Sequence, residues 1–179
     1  MKFACLLADG FEDVEALGSA ALLRRAGFIV DFYSVYNKKK VTGAYKTVVT
    51  ELLPMKKLTS NNYDGLFIPG GKAAFTLREE ETVKAIVKDF NDKEKWMMAI
   101  CAAPTVFGMM HLLDNKKYIS FPGTEENMGK AIRVNQKAIS DGRFITAISA
   151  GAIYDFVFEI IKTINGKDAL ESFKNKLYY

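Results

Sequence analysis

The chain of 179 residues has a single histidine, His111, and only two cysteines, Cys5 and Cys101. This scarcity narrows the chemistry at once. With one His and no close Cys pair, only carboxylates are left to hold a metal, and they follow no recognisable ligand spacing, so no metal site is expected. Two cysteines make no disulfide framework. Both fall in or beside predicted buried strands, which suits a reducing cytoplasm. No apolar run approaches the ~20 residues of a membrane span, so no membrane association is expected. The start, Met1-Lys2-Phe3-Ala4-Cys5-Leu6-Leu7, lacks a signal-peptide cleavage region and leads straight into predicted structure. A strong charge is also missing, because the formal +4 is spread along the chain. The only basic run, Lys38-Lys39-Lys40, lies in a predicted turn with no interleaved aromatics. It reads as a solvated turn and not as a nucleic-acid site.

What is present is ordinary globular material, 49% hydrophobic and 26% charged, long enough to bury a proper core. Strand-like and helix-like segments alternate. Phe3–Ala8, Phe28–Ser34, Gly65–Ile68, Trp96–Ile100 and Arg143–Ile148 predict strands. Lys40–Glu51 predicts a hairpin, and Tyr118–Ser120, Ile132–Val134 and Lys137–Ser140 predict short strands. Helices are predicted from Asp9-Gly10 to about Ala26, over Glu79–Phe90 and Ala102–Met110, and over Gly151–Ile164 and Asp168–Lys176. Short apolar strands separated by helices imply a mostly parallel sheet covered on both faces. The expectation is one α/β domain over residues 1–179, with chemistry at the carboxyl ends of the strands.

Cys101 stands at the sharpest of those ends. It lies between the predicted strand Trp96–Ile100 and a helix that opens on Ala102-Ala103-Pro104. Small neighbours and a strand-to-helix turn are what a nucleophile elbow requires. A helix N-terminus behind the sulfur favours thiolate. A small buried cysteine in a tight core turn fits the same residues. Cys5, within the first strand, reads as core packing.

Two further strand ends complement the thiol. Spacing of about 100° per residue puts Val14, Leu17, Gly18, Ala21 and Leu22 on one apolar helix face. Glu15 falls at the edge of that face, and Glu12 points to solvent. A half-buried Glu15 with a raised pKa could donate a hydrogen bond to a thiolate. It could equally be an acid complementing the helix N-terminus. Gly70-Gly71 exposes backbone N–H groups, which with the N–H of Ala102 could form an oxyanion hole or a plain turn. His111 is excluded as the base for Cys101, because ten residues along one helix is roughly 15 Å.

Three segments stand in this order: Asp9-Gly10-Phe11-Glu12-Asp13-Val14-Glu15, Ile68-Pro69-Gly70-Gly71 and Ala99-Ile100-Cys101-Ala102-Ala103-Pro104. Together they resemble the ThiJ/PfpI superfamily, the Parkinsonism-associated deglycase family. The resemblance extends through Leu22-Leu23-Arg24-Arg25-Ala26-Gly27 and reaches Gly151-Ala152-Ile153-Tyr154-Asp155-Phe156. It implies a flavodoxin-like three-layer sandwich and a homodimer, with Cys101 as nucleophile and Glu15 as the protonated acid bonded to its sulfur. Gly71 and Ala102 would supply backbone amides. The implied activity is a cofactor-independent glyoxalase or deglycase acting on methylglyoxal-type aldehydes or their adducts. The alternative is a cysteine-oxidation sensor, or a stress-response protein or chaperone without turnover. Two departures matter: Ala102 stands where the protease-like branch has His, so peptidase activity is not expected. Phe121 stands in the loop where some members place a His near the thiol.

Overall fold

The apolar β-forming runs become a single seven-stranded sheet in the computed structural model, which describes all 179 residues. In chain order, β1 (Lys2–Leu7) leads through a π-helical turn, Val14–Gly18, into α1 (Ser19–Arg25) and β2 (Ile29–Ser34). The hairpin β3 (Val41–Thr42) and β4 (Val48–Val49) follows, then β5 (Leu53–Pro54) and β6 (Gly65–Ile68). Next come α2 (Ala73–Leu77), α3 (Glu81–Asp92), β7 (Trp96–Ile100) and α4 (Pro104–Gly108). The chain ends with β8 (Lys117–Tyr118), β9 (Ile132–Arg133), β10 (Ala138–Asp141), β11 (Phe144–Ala147), α5 (Ile153–Asn165) and α6 (Lys167–Leu177).

The sheet order is β10-β11-β7-β6-β1-β2-β5, parallel throughout except for the antiparallel β10–β11 edge. Helices α1 and α5 pack together, α1 against β2 and α5 against β10 and β11, with α6 on α5. Helix α3 packs on β6 and β7, and α2 packs on α4. This is the expected flavodoxin-like α/β sandwich. Buried on both faces, the central strands read as continuous apolar runs: Phe3–Leu7, Leu66–Ile68 and Met97–Ile100 are all fully inaccessible. They belong to one contiguous core of 48 buried residues.

Short elements depart from the sequence reading. The predicted strands at Tyr118 and Ile132 form a separate two-stranded parallel pair, β8–β9, and β5 joins the sheet edge unannounced. The helix after Cys101 stops at Gly108 and gives way to turns. The first helix turns a different face inward. Glu15, Ala16, Ser19, Ala20 and Leu23 are fully buried, whereas Val14 is 49% exposed and Ala21 is exposed. The buried face is displaced by one residue from the expected one. A π-turn closes from i to i+5 and is wider than an α-turn, so 100° arithmetic begun inside it drifts.

Topology determines where the site lies. Strand β1 sits between β2 and β6, with the chain passing first to one side and then to the other. The crevice at the carboxyl ends of β1 and β6 is therefore a topological switch point, where such sheets hold their ligands.

Candidate active site

Three strand ends meet at this crevice. Past β7, Cys101 adopts φ +66°, a left-handed conformation that costs a side-chain-bearing residue about 1–2 kcal/mol. Backbone bonds on both sides hold it there: its N–H donates to the Ala147 carbonyl at 2.9 Å, and its carbonyl accepts from the Phe121 N–H at 2.8 Å. Ala99, Ala102 and Ala103 are buried around it, and Pro104 opens α4 where its missing N–H is harmless. The thiol itself is only half-buried.

Glu15 lies within the π-turn after β1, and its residue is wholly inaccessible. Its Oε2 accepts the Gly70 N–H at 2.9 Å. Gly70 is the point of convergence. A Cβ there would lie 2.6 Å from the Cys101 Cβ and 2.6 Å from Glu15 Oε2, so no larger residue fits between thiol and carboxyl. Gly71 has φ +84°, and a Cβ on it would strike the backbone at Gly10 and Glu12 at 2.5 Å. The two loops are fastened together there: Glu12 N–H donates to the Gly70 carbonyl at 3.1 Å, and Ala73 N–H to the Gly10 carbonyl at 3.2 Å. Cys101, Glu15, Gly71 and Ala102 are thus brought to one place, and the Gly71 and Ala102 N–H groups act on the sulfur.

The electrostatics differ from the thiolate-favouring helix end expected of the sequence. Burial, then the charge of Glu12, pushes the Glu15 carboxyl up to about 7, against the weaker pull of the Cys101 thiol and the Gly70 and Ala150 N–H groups. Only the Gly70 bond meets strict geometry; Oε1 is buried without a partner. Burial, then the charge of Glu15, pushes the Cys101 thiol up to about 12, despite the Gly71 and Ala102 N–H groups. Helix α4 has five residues and too little dipole to reverse this. Both groups move upward chiefly because burial penalises their anions, and the charge of Glu15 on Cys101 couples them, so they titrate as a pair. Near neutrality the pair loses one proton and keeps the other.

The remaining predicted residues lie elsewhere. His111 is 71% exposed in the turn after α4 and faces Asp114 at 3.4 Å. Cys5 is fully buried in β1, where burial raises its thiol pKa. No three His, Cys, Asp or Glu side chains gather closely enough to hold a metal ion. Phe121 and Phe75 are 47% and 46% exposed beside the elbow and after the Gly70-Gly71 turn. Sequence reading missed two contributors. Glu12 folds back to accept the Glu15 N–H at 2.6 Å, and Asp13 is buried under the β3–β4 hairpin. The three-residue spacing of Glu12 and Glu15 was the available signal, being that of a carboxyl bonding an N–H near a helix start.

A mostly parallel sheet of this order, with a strained cysteine at the switch point and a buried acid across a glycine, defines a flavodoxin-like α/β protein. Residues 1–163 match the DJ-1/PfpI family, and the chain belongs to it. A deglycase of Pyrococcus abyssi is 26% identical over 166 residues, covering 92% of this chain and 99% of that protein. Among solved structures, Drosophila melanogaster DJ-1beta superimposes with a TM-score of 0.89 at 23% identity, covering 99% of this chain and 97% of its own. Oxidized Toxoplasma gondii DJ-1 does so with a TM-score of 0.90 at 24% identity, covering 99% and 98%.

Proposed function

We propose that this chain is a cofactor-independent, cysteine-dependent deglycase or glyoxalase acting on methylglyoxal-type aldehydes or their adducts with amines and thiols. The observation that carries the reading is the convergence on Gly70, where the Glu15 carboxyl and the Cys101 side chain both come so close that position 70 has no room for a side chain. Deglycase-named relatives such as that of Pyrococcus abyssi support a deglycase-type activity.

In the singly ionised pair one proton is shared between sulfur and carboxyl. The reactive arrangement has it on Glu15, leaving a thiolate. Sulfur attacks the aldehyde carbon, a C–S bond forms, and the carbonyl electron pair moves onto oxygen, facing the Gly71 and Ala102 N–H groups. Glu15 donates its proton to that oxygen, giving a hemithioacetal. The Glu15 carboxylate then removes the proton from the former aldehyde carbon, and the enediol takes a proton back at the neighbouring carbon. The resulting thioester is hydrolysed by water to a 2-hydroxy acid, and the thiol is restored. Overall, methylglyoxal and water yield lactate and a proton, with no net oxidant or reductant. Preorganised amides and proximity provide the rate.

A second reading is a peroxide sensor, favoured by the half-buried thiol and by the oxidized state of the Toxoplasma gondii structure. Two equivalents of peroxide would convert the Cys101 thiol to a sulfinate and release two waters, with the protonated Glu15 bonded to a sulfinate oxygen.

Methylglyoxal loss and lactate formation by wild type, Cys101→Ala and Glu15→Gln test the first reading. Turnover should fall at least about 100-fold in both variants while circular dichroism stays native. Wild-type protein with a reduced thiol and no turnover would sink it. Selective gain of two oxygens on Cys101 would then favour the sensor.

A further inference from the structure

Glu12 makes three bonds around the reactive pair. Its N–H donates to the Gly70 carbonyl, its carbonyl accepts the Ala16 N–H at 3.1 Å, and its side-chain Oε2 accepts the Glu15 N–H at 2.6 Å. A solvent-pointing glutamate would make the first two and not the third. We propose that Glu12 is a positioning residue for the Glu15–Cys101 pair: its bond holds the π-turn that aims Glu15, and its charge keeps the Glu15 proton in place for transfer. The proposal rests on the reading of Glu15 and Cys101 as the reactive pair.

The polar groups that act on the Glu15 carboxyl come from every neighbouring segment. Glu12 comes from its own turn, the Gly70 N–H from the β6–α2 turn, the Cys101 thiol from the elbow and the Ala150 N–H from the turn before α5. Asp13, also on the Glu15 turn, is committed to the Tyr45 and Thr47 N–H groups. Glu12 is thus the full negative charge set against Glu15, and it opposes the ionisation that the Gly70 and Ala150 N–H groups favour. Without it, Glu15 would surrender its proton at lower pH and lack it as a donor near neutrality.

The test is the pH dependence of Cys101 alkylation by iodoacetamide, followed by mass in a Cys5→Ala background. Glu12→Gln keeps an oxygen to accept the Glu15 N–H but removes the charge. It should move the midpoint of the rate profile downward and lower the plateau several-fold, because the proton kept by the pair then lies more on sulfur and less on Glu15. Glu12→Ala should show the same shift with a still lower plateau, because the Glu15 N–H loses its acceptor. Glu12→Asp should bring the midpoint back up. An unmoved midpoint in Glu12→Gln, whatever Glu12→Ala does, reduces Glu12 to a structural cap and overturns the proposal. If that happens while Glu15→Gln still abolishes the wild-type step, the reactive pair stands and only the role of Glu12 falls. A wild-type profile with no step dependent on Glu15 overturns both.

Discussion

A carboxylic acid buried with one good hydrogen bond is unstable as an anion, and Glu15 carries that instability into the whole protein. Its pKa rises from 4.5 to about 7 on folding, chiefly through burial. The folded state therefore binds the proton more tightly than the unfolded one. The contribution is fully present below pH 4.5 and is lost as the pH rises through about 7. Glu15→Gln cannot titrate. Relative to that variant, wild type should lose about 3 kcal/mol of stability between about pH 4 and pH 8, measured by urea unfolding at both ends. Parallel pH profiles for the two proteins would show that Glu15 is solvated. A residue kept at such a cost, at a strand end and beside a strained cysteine, is better placed for chemistry than for stability.

Among the elements, the short hairpin does more than its two-residue strands suggest. It is fastened to the loop that carries Glu15 by backbone bonds from Gly10 N–H to the Thr42 carbonyl and from Ala44 N–H to the Phe11 carbonyl, both 2.8 Å. Buried Asp13 adds two more, accepting the Tyr45 and Thr47 N–H groups at 2.9 and 3.1 Å. Such charge-assisted bonds are the strong kind. Asp13→Ala should cost about 2 kcal/mol and speed hydrogen exchange at the Tyr45 and Thr47 amides well beyond that of the β1 amides. Uniform acceleration across the chain would mean that Asp13 serves global stability alone. Asp13 sits two residues from Glu15, so the hairpin acts as a brace for the turn that aims the acid.

Over the whole molecule, the one-residue rotation of the first helix has a consequence. It leaves Val14, Leu17, Gly18, Ala21 and Leu22 as a half-exposed to exposed apolar stripe, with Tyr154 exposed to 43%. We propose that this stripe is the face of a homodimer, the assembly the family resemblance implies. Leu17→Asp should then convert the protein to monomers in sedimentation equilibrium, with the circular dichroism of each chain retained. A wild type that already sediments as a monomer would refute the assignment. Because Val14, Leu17 and Gly18 share the π-turn with Glu15, docking of a second copy would also rigidify that turn.

The amino-acid sequence by itself determined the layered α/β architecture. Runs such as Phe3–Leu7 and Met97–Ile100 have no polar side to turn to water and must lie inside a covered parallel sheet. It also marked which loops matter, through small residues around Cys101 and a Gly-Gly pair at strand ends, although the contacts that bar a side chain at Gly70 and Gly71 come from other loops. Its single histidine already excluded a Cys–His dyad within the chain. Tertiary structure alone decided which face of the first helix is buried, because a π-turn changes the angular step and only packing selects it. It alone decided that Glu12 folds back on Glu15 and that Asp13 holds the hairpin, contacts between side chains and backbone that periodicity does not encode. The ionisation of the pair was decided there too. Burial, the charge of Glu12 on Glu15 and the charge of Glu15 on Cys101 depend on how the loops pack, and they outweigh the short helix behind the sulfur that sequence reading had favoured.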